Sequence, residues 1–233
     1  MTNKEQMKKE KSRFVRCYQA TELHIREASE GDAPSRIIAG YAILFGVESS
    51  PLWSDADSEA REIIAPGAIT KELLDGCDIK FTMFHDRTLI LARSRNGEGT
   101  LQYVVDDKGV RFEFEAPATI DGDKALELVK RGDISGCSFA FTTSYRDSQC
   151  VERSVKRVDG RSFITYTVRS VDAVYDFTLA ADPAYPGTSV EARELESLKE
   201  ETLKAEDTDN EFSISETAKA QIREMRSFAA KRI

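Results

Sequence analysis

The chain has 233 residues, 40% of them apolar and 32% charged, and a formal net charge of −8. This is the composition of an ordinary globular protein, long enough to bury a sizeable core as one larger domain or two small ones. The acidic balance argues against nucleic acid as the main partner, no apolar run reaches the length of a bilayer span, and the polar start MTNKEQMKKEKSR lacks the apolar stretch of a signal peptide.

The four cysteines, Cys17, Cys77, Cys137 and Cys150, form no C-x-x-C pair, and only two histidines are present. A structural zinc site is therefore disfavoured, and reduced thiols in a cytoplasm are the simpler reading.

Residues 1–12 have little to bury and are expected to be flexible. From Phe14 to Ile25 polar and apolar residues roughly alternate, which predicts a half-buried strand. RIIAGYAILFGV (36–47) is β-branched and apolar enough for a central strand, with Gly40 a candidate bulge. SSPLWSDADSEA (49–60) reads as loop, and APGAITKELLDG (65–76) as a short helix. A strand follows at IKFTMFH (79–85). TLQYVVDDKGVRFEFEA (100–116) holds two alternating runs around Asp106, Asp107, Lys108 and Gly109, the pattern of a β-hairpin. GDKALELVKRGD (122–133) predicts an amphipathic helix, and ISGCSFAFTTSY a strand. CVERSVKRV and one long extended stretch from Phe163 to Leu179 complete the core. Strands dominate and pair mostly in sequence, which predicts a mainly β, α+β fold: an antiparallel barrel or sandwich with peripheral short helices.

Beyond Glu191 the composition changes. Residues 191–211 carry nine acidic and three basic side chains, and residues 217–232 five basic and one acidic. Good helix formers fill both, so 192–233 reads as a charged helical or disordered tail: a solvated appendage, or a docking segment whose charge blocks meet a partner.

Two residues carry candidate chemistry. His85, in FTMFHDRT, ends an apolar strand where a loop holds it at an edge. His24, the other histidine, lies in an alternating strand without small or acidic neighbours. Ser138 follows Gly136 and Cys137, and small neighbours let a carbonyl approach its hydroxyl. Alternation puts Ser138 with Ala140 on one face and Cys137, Phe139 and Phe141 on the other. Cys137 is a second candidate nucleophile on the face that looks like core. A serine nucleophile needs a base, and the base a carboxylate to fix its tautomer. Asp86, Asp172, Asp176 and Asp182 are available. Asp176 is the most informative because its stretch, VDAVYDFTLAADPAYPGT, is extended and otherwise apolar, where a carboxylate is costly to bury unpaired.

The ordered set GYAILFG, PGAI, FHD, the DDKGV hairpin, RGDISGCSFAF and DFTLAADPAYPGT resembles the prohead (capsid maturation) proteases of tailed phages, the HK97-type family, distantly related to herpesvirus assemblins. The likeness covers about residues 14–191. It implies a serine endopeptidase on an assemblin-like β-barrel with short helices, core 13–191, with His85 as general base and Ser138 as nucleophile. The family's third member is usually a glutamate seven residues before the proline of P-A-Y; here Asp176 stands seven before Pro183. The shorter aspartate can serve only if its strand sits closer to His85. Backbone N–H groups near Ser138, or an arginine such as Arg93, are candidates for the oxyanion. The resemblance further implies major capsid protein and scaffold as substrates, self-cleavage, and a place in the host cytoplasm inside the procapsid. It calls for no metal or organic cofactor, nucleic acid or membrane. A homodimer or higher oligomer fits the relation to assemblins. The rival readings are an inactive scaffold or packing relative, and a β-rich protein-binding module with a helical interaction tail.

Overall fold

The computed structural model describes residues 14–18, 22–28, 33–181, 197–200 and 202. The flexible N-terminus, the candidate Asp182 and most of the tail predicted from the sequence lie outside these residues. In chain order the elements are β1 (Phe14–Tyr18), β2 (His24–Ile25), β3 (Ile37–Leu44), β4 (Trp53–Ser54), β5 (Ser58–Ile64), α1 (Lys71–Asp75), β6 (Asp78–Met83), β7 (Asp86–Arg95) and β8 (Glu98–Gly99). They continue with β9 (Gln102–Val105), β10 (Gly109–Glu115), α2 (Ile120–Arg131), β11 (Gly136–Thr142), β12 (Val151–Val158), β13 (Arg161–Val168) and β14 (Ala173–Ala180). The chain divides into two units, Met1–Glu191 and Ala192–Ile233; all these elements belong to the first. In the second, residues 197–200 and 202 are helical.

The fold is mainly β, as expected, but the described strands form three open sheets and not a closed antiparallel barrel. The largest runs β1-β11-β14-β6-β7-β8; the others run β2-β3-β10-β9 and β12-β13-β5-β4. Two pairs, β13–β5 and β14–β6, are parallel. Consecutive strands pair as expected at β2–β3, β4–β5, β6–β7, β7–β8, β9–β10 and β12–β13, but β1–β11, β3–β10, β5–β13, β6–β14 and β11–β14 join distant segments. Parallel neighbours need a long crossover, and here residues 84–172 supply one between β6 and β14.

Local differences have local reasons. The predicted strand 14–25 is two strands, β1 and β2, in different sheets. The bulge in β3 falls at Ala42, which is skipped between the pairs Val110–Ile43 and Arg111–Tyr41, and not at Gly40, which pairs with Phe112. The stretch 49–60 is not all loop: Trp53 and Ser54 pair with Ala60 and Glu59. The extended run 163–179 breaks in two around exposed Arg169, Ser170 and Asp172, and its halves enter different sheets. β7 went unpredicted because its apolar residues cluster at Leu89–Ala92 between polar ends, hiding the alternation.

Both predicted helices are present, α1 only over Lys71–Asp75 of the predicted 65–76 and α2 over Ile120–Arg131, and their caps explain their limits. Thr70 and Thr119 lie extended before α1 and α2 and accept from the amides of Leu73 and Gly122. In α2, Asp121 and Asp123 in the first turn and Lys130 and Arg131 in the last complement the helix dipole, and Gly132, at φ 77°, closes it. Aromatic rings tie the largest sheet to the second: Phe81 of β6 lies 4.5 Å from the rings of both Phe112 and Phe114 of β10.

The β9–β10 hairpin is as the sequence predicts. Asp106 Oδ1 accepts from the amides of Lys108 and Gly109, both at 2.9 Å. Gly109 is required by space: a Cβ there would stand 2.0 Å from the Ile43 carbonyl oxygen. Gly109→Ala is expected to destabilise the protein by roughly 1–3 kcal/mol, since backbone must move to admit the methyl. Urea unfolding checks this; an unchanged midpoint would mean the hairpin shifts freely.

Candidate active site

β11 carries Ser138, and all seven of its residues are buried. On its core face Phe139 and Phe141 stack at 5.1 Å. Across β14, Ser138 pairs with Thr178 and Ala140 with Asp176. Cross-strand partners point the same way, so Ser138, Asp176 and Thr178 share the face opposite the phenylalanines. The register steps between Ala140 and Phe141, leaving Tyr175 as an extra residue on β14. That bulge resets the alternation: Val174 pairs with Phe141 on the core side, while Asp176 turns to the other.

His85 arrives from β6. Met83 and Asp86 pair across the β6–β7 hairpin, and the connection is only Phe84 and His85, with φ of 57° and 58°. Two positive φ values in a two-residue loop are the mark of a type I′ turn, normally filled by Asn-Gly. Phe and His in such backbone cost on the order of 1–3 kcal/mol each, so their surroundings must hold them. β14 does this. The Phe84 amide donates to the Leu179 carbonyl at 3.1 Å, and the His85 amide donates to Thr178 Oγ1 at 2.9 Å.

The imidazole thereby lies between the two predicted partners. Its Nδ1 is 2.6 Å from Asp176 Oδ1 and its Nε2 is 2.7 Å from Ser138 Oγ. An ionised carboxylate only accepts, so Nδ1 carries the hydrogen and Nε2 accepts from the Ser138 hydroxyl. Asp176 is 4% exposed and Ser138 0%, whereas the His85 side chain keeps 26%. A carboxylate this buried needs a partner, and the ring supplies one.

The other candidates are engaged elsewhere. His24 is exposed, its Nδ1 2.8 Å from the Glu22 carbonyl. Asp86 accepts from the hydroxyl and amide of Thr88 at 2.6 and 2.8 Å, bonds that hold its carboxyl below its usual range. Asp172 is exposed ahead of β14. Cys137 is fully buried on the core face of β11. The Arg93 guanidinium is gripped through Nε and Nη2 by both Asp78 oxygens, at 2.7 and 2.6 Å. That pair keeps the Asp78 carboxyl far below the ordinary carboxylate range. Among the described residues no group of three or more His, Cys, Asp or Glu side chains is placed to hold a metal ion, and no helix is long and apolar enough to cross a membrane. Sequence reading missed the buried pair Thr82 and Thr178, although Thr178 follows Asp176 at the two-residue spacing of one strand face.

A hydroxyl, an imidazole and a carboxylate bonded in series are the constellation of the serine hydrolases, recognised by geometry whatever the fold. A family model described as Caudovirus prohead serine protease matches residues 21–201, and the chain belongs to that family. Among solved structures, the capsid assembly protease of bacteriophage T4 matches at 11% identity and a TM-score of 0.37, over 70% of this chain and 97% of that one. A comparison with curated proteins finds no match.

The ring bonds make a spectroscopic prediction. With only two histidines in the chain, the Nδ1 proton of His85 should appear as a strongly deshielded proton resonance. It should vanish in Asp176→Ala while the His24 signals stay put. A spectrum identical in the two proteins would mean that Asp176 does not hold the ring in solution.

Proposed function

We propose that Ser138 is the nucleophile of this prohead serine protease, His85 its general base and acid, and Asp176 the carboxylate that orients the imidazole. The single observation that carries the reading is the ring's two short bonds, to Asp176 on one side and Ser138 on the other. In the acylation step Ser138 Oγ attacks the scissile carbonyl as its proton passes to Nε2. The imidazolium is stabilised by Asp176, buried beside it, where low dielectric strengthens the attraction. Nε2 then gives the proton to the leaving amine, and the peptide's C-terminal part departs. Water repeats the sequence on the acyl-enzyme, its proton going to Nε2 and then to Ser138 Oγ. No metal or organic cofactor enters any step.

The substrates we infer are the scaffold, or a scaffold-like N-terminal segment of the major capsid protein, and the protease itself. The work takes place inside the procapsid in the host cytoplasm, with the homodimer or larger oligomer of the assemblins as its assembly state. Residues 13–191 form the catalytic unit, and residues 192–233 are a charged tail that either docks it to scaffold or capsid protein or is removed by self-cleavage.

The test is intact-mass analysis of the protein over time, alone and co-expressed with its major capsid protein. Discrete truncations are expected that disappear in Ser138→Ala. Asp176→Asn should slow them by on the order of 10⁴-fold, because the amide favours the wrong tautomer. An absence of cleavage even in assembled shells would sink the reading, and favour an inactive scaffold relative or a binding module.

A further inference from the structure

The triad leaves the backbone of His85 unexplained. Its φ of 58° follows a Phe84 at 57°, a pair of conformations that neither residue favours alone. A side chain that fixes the ring from Nδ1 and Nε2 does not fix the turn that presents it.

The structure assigns Thr178 as the positioning residue of this turn: its hydroxyl accepts the His85 amide and holds the imidazole's anchor in place. The inference rests on the proposed role of His85 as the base. Thr178 is fully buried and its oxygen is fully used. It accepts from the His85 amide at 2.9 Å and from the Thr82 hydroxyl at 3.0 Å, and donates to the Thr82 carbonyl at 3.0 Å, with the Leu179 carbonyl a longer alternative acceptor at 3.5 Å. One hydrogen and two lone pairs allow those three bonds and no more. The hydroxyl thus joins the end of β6, the turn and β14 at one atom. Thr178 is also the cross-strand partner of Ser138 and lies two residues from Asp176 on the same face. One strand therefore holds His85 twice, by its ring through Asp176 and by its amide through Thr178.

Valine matches threonine in shape but cannot accept. Thr178→Val orphans the part-buried His85 amide, and the turn is expected to relax toward ordinary backbone, carrying the ring away from Ser138 Oγ. Thr178→Ser keeps the acceptor. The readout is the rate at which a fluorophosphonate labels Ser138, per folded molecule, in the full chain and in assembled shells. The maximal labelling rate of Thr178→Val should fall by about 10- to 100-fold, as expected for a small misplacement of a catalytic group. The concentration giving half-maximal rate should hardly change, and Thr178→Ser should restore most of the loss. In the same variant the deshielded His85 ring proton should shift or broaden while the His24 signals stay unmoved.

Ser138→Ala runs beside these as the control. Labelling that survives Ser138→Ala defeats the triad reading itself. A blank Ser138→Ala with wild-type labelling in Thr178→Val leaves the triad standing and overturns the role of Thr178. So does a loss that serine fails to rescue, since the methyl's packing would then be responsible. Amide hydrogen exchange of the unaltered protein is independent of activity and of whether the valine variant folds. A His85 amide that exchanges as fast as an unprotected loop amide also overturns the assignment.

Discussion

The site depends on the register of β14. This strand lies between β11 and β6, antiparallel to one and parallel to the other. Its pairing with β11 puts Thr178 opposite Ser138; its pairing with β6 puts Leu179 opposite Met83, the last residue before the turn that bears His85. All three side chains of the proposed triad are thus placed by the neighbours of one strand. A slip of one residue would turn Asp176 and Thr178 to the core face and bring Phe177 and Leu179 to His85. Phe177 and Leu179 are fully buried where they are, so the packing that stabilises the sheet also excludes that slip.

The same arrangement explains how a polar cluster tolerates burial. Asp176 and Ser138 have almost no contact with solvent, and each polar group would be costly there without a partner. The imidazole satisfies both, and the Thr82–Thr178 hydroxyl pair satisfies the backbone beneath it. The strain of two positive-φ residues is then one local cost set against the bonds that His85 makes through its ring and its amide. Strained backbone of this kind persists where surrounding structure over-determines it, which is a condition the β6–β14 junction meets.

Much of this was legible in the chain. The central strands, both short helices and the Asp106–Gly109 hairpin follow from period, caps and turn residues. Ser138 and His85 are readable as candidates from small neighbours and an edge position, and the roles proposed for them come from the family likeness. Sheet topology was not legible. Parallel pairs such as β6–β14 bring together residues nearly a hundred positions apart, and no local pattern encodes that. Nor was the Phe84–His85 turn, because the residues that make a type I′ turn easy are absent; tertiary bonds from Leu179 and Thr178 replace propensity.

The aspartate at 176 is the harder point, since it is one methylene shorter than the glutamate the family resemblance leads one to expect. The bulge at Tyr175 bears on it. In a regular strand Val174 and Asp176 would share a face, and burying the valine would bury the carboxylate among phenylalanines. The extra residue lets Val174 and Phe177, three apart, both turn to the core, while Asp176 and Thr178 turn to Ser138 and His85. That spacing is written in VYDFTL: the apolar period breaks once, at the residue before the acid. The carboxylate then reaches Nδ1 at 2.6 Å with its short side chain, so the strand lies close enough for aspartate. A glutamate on this backbone would have to fold back on itself to make the same bond. Acid length and strand position are coupled, and in this chain the bulge sets both.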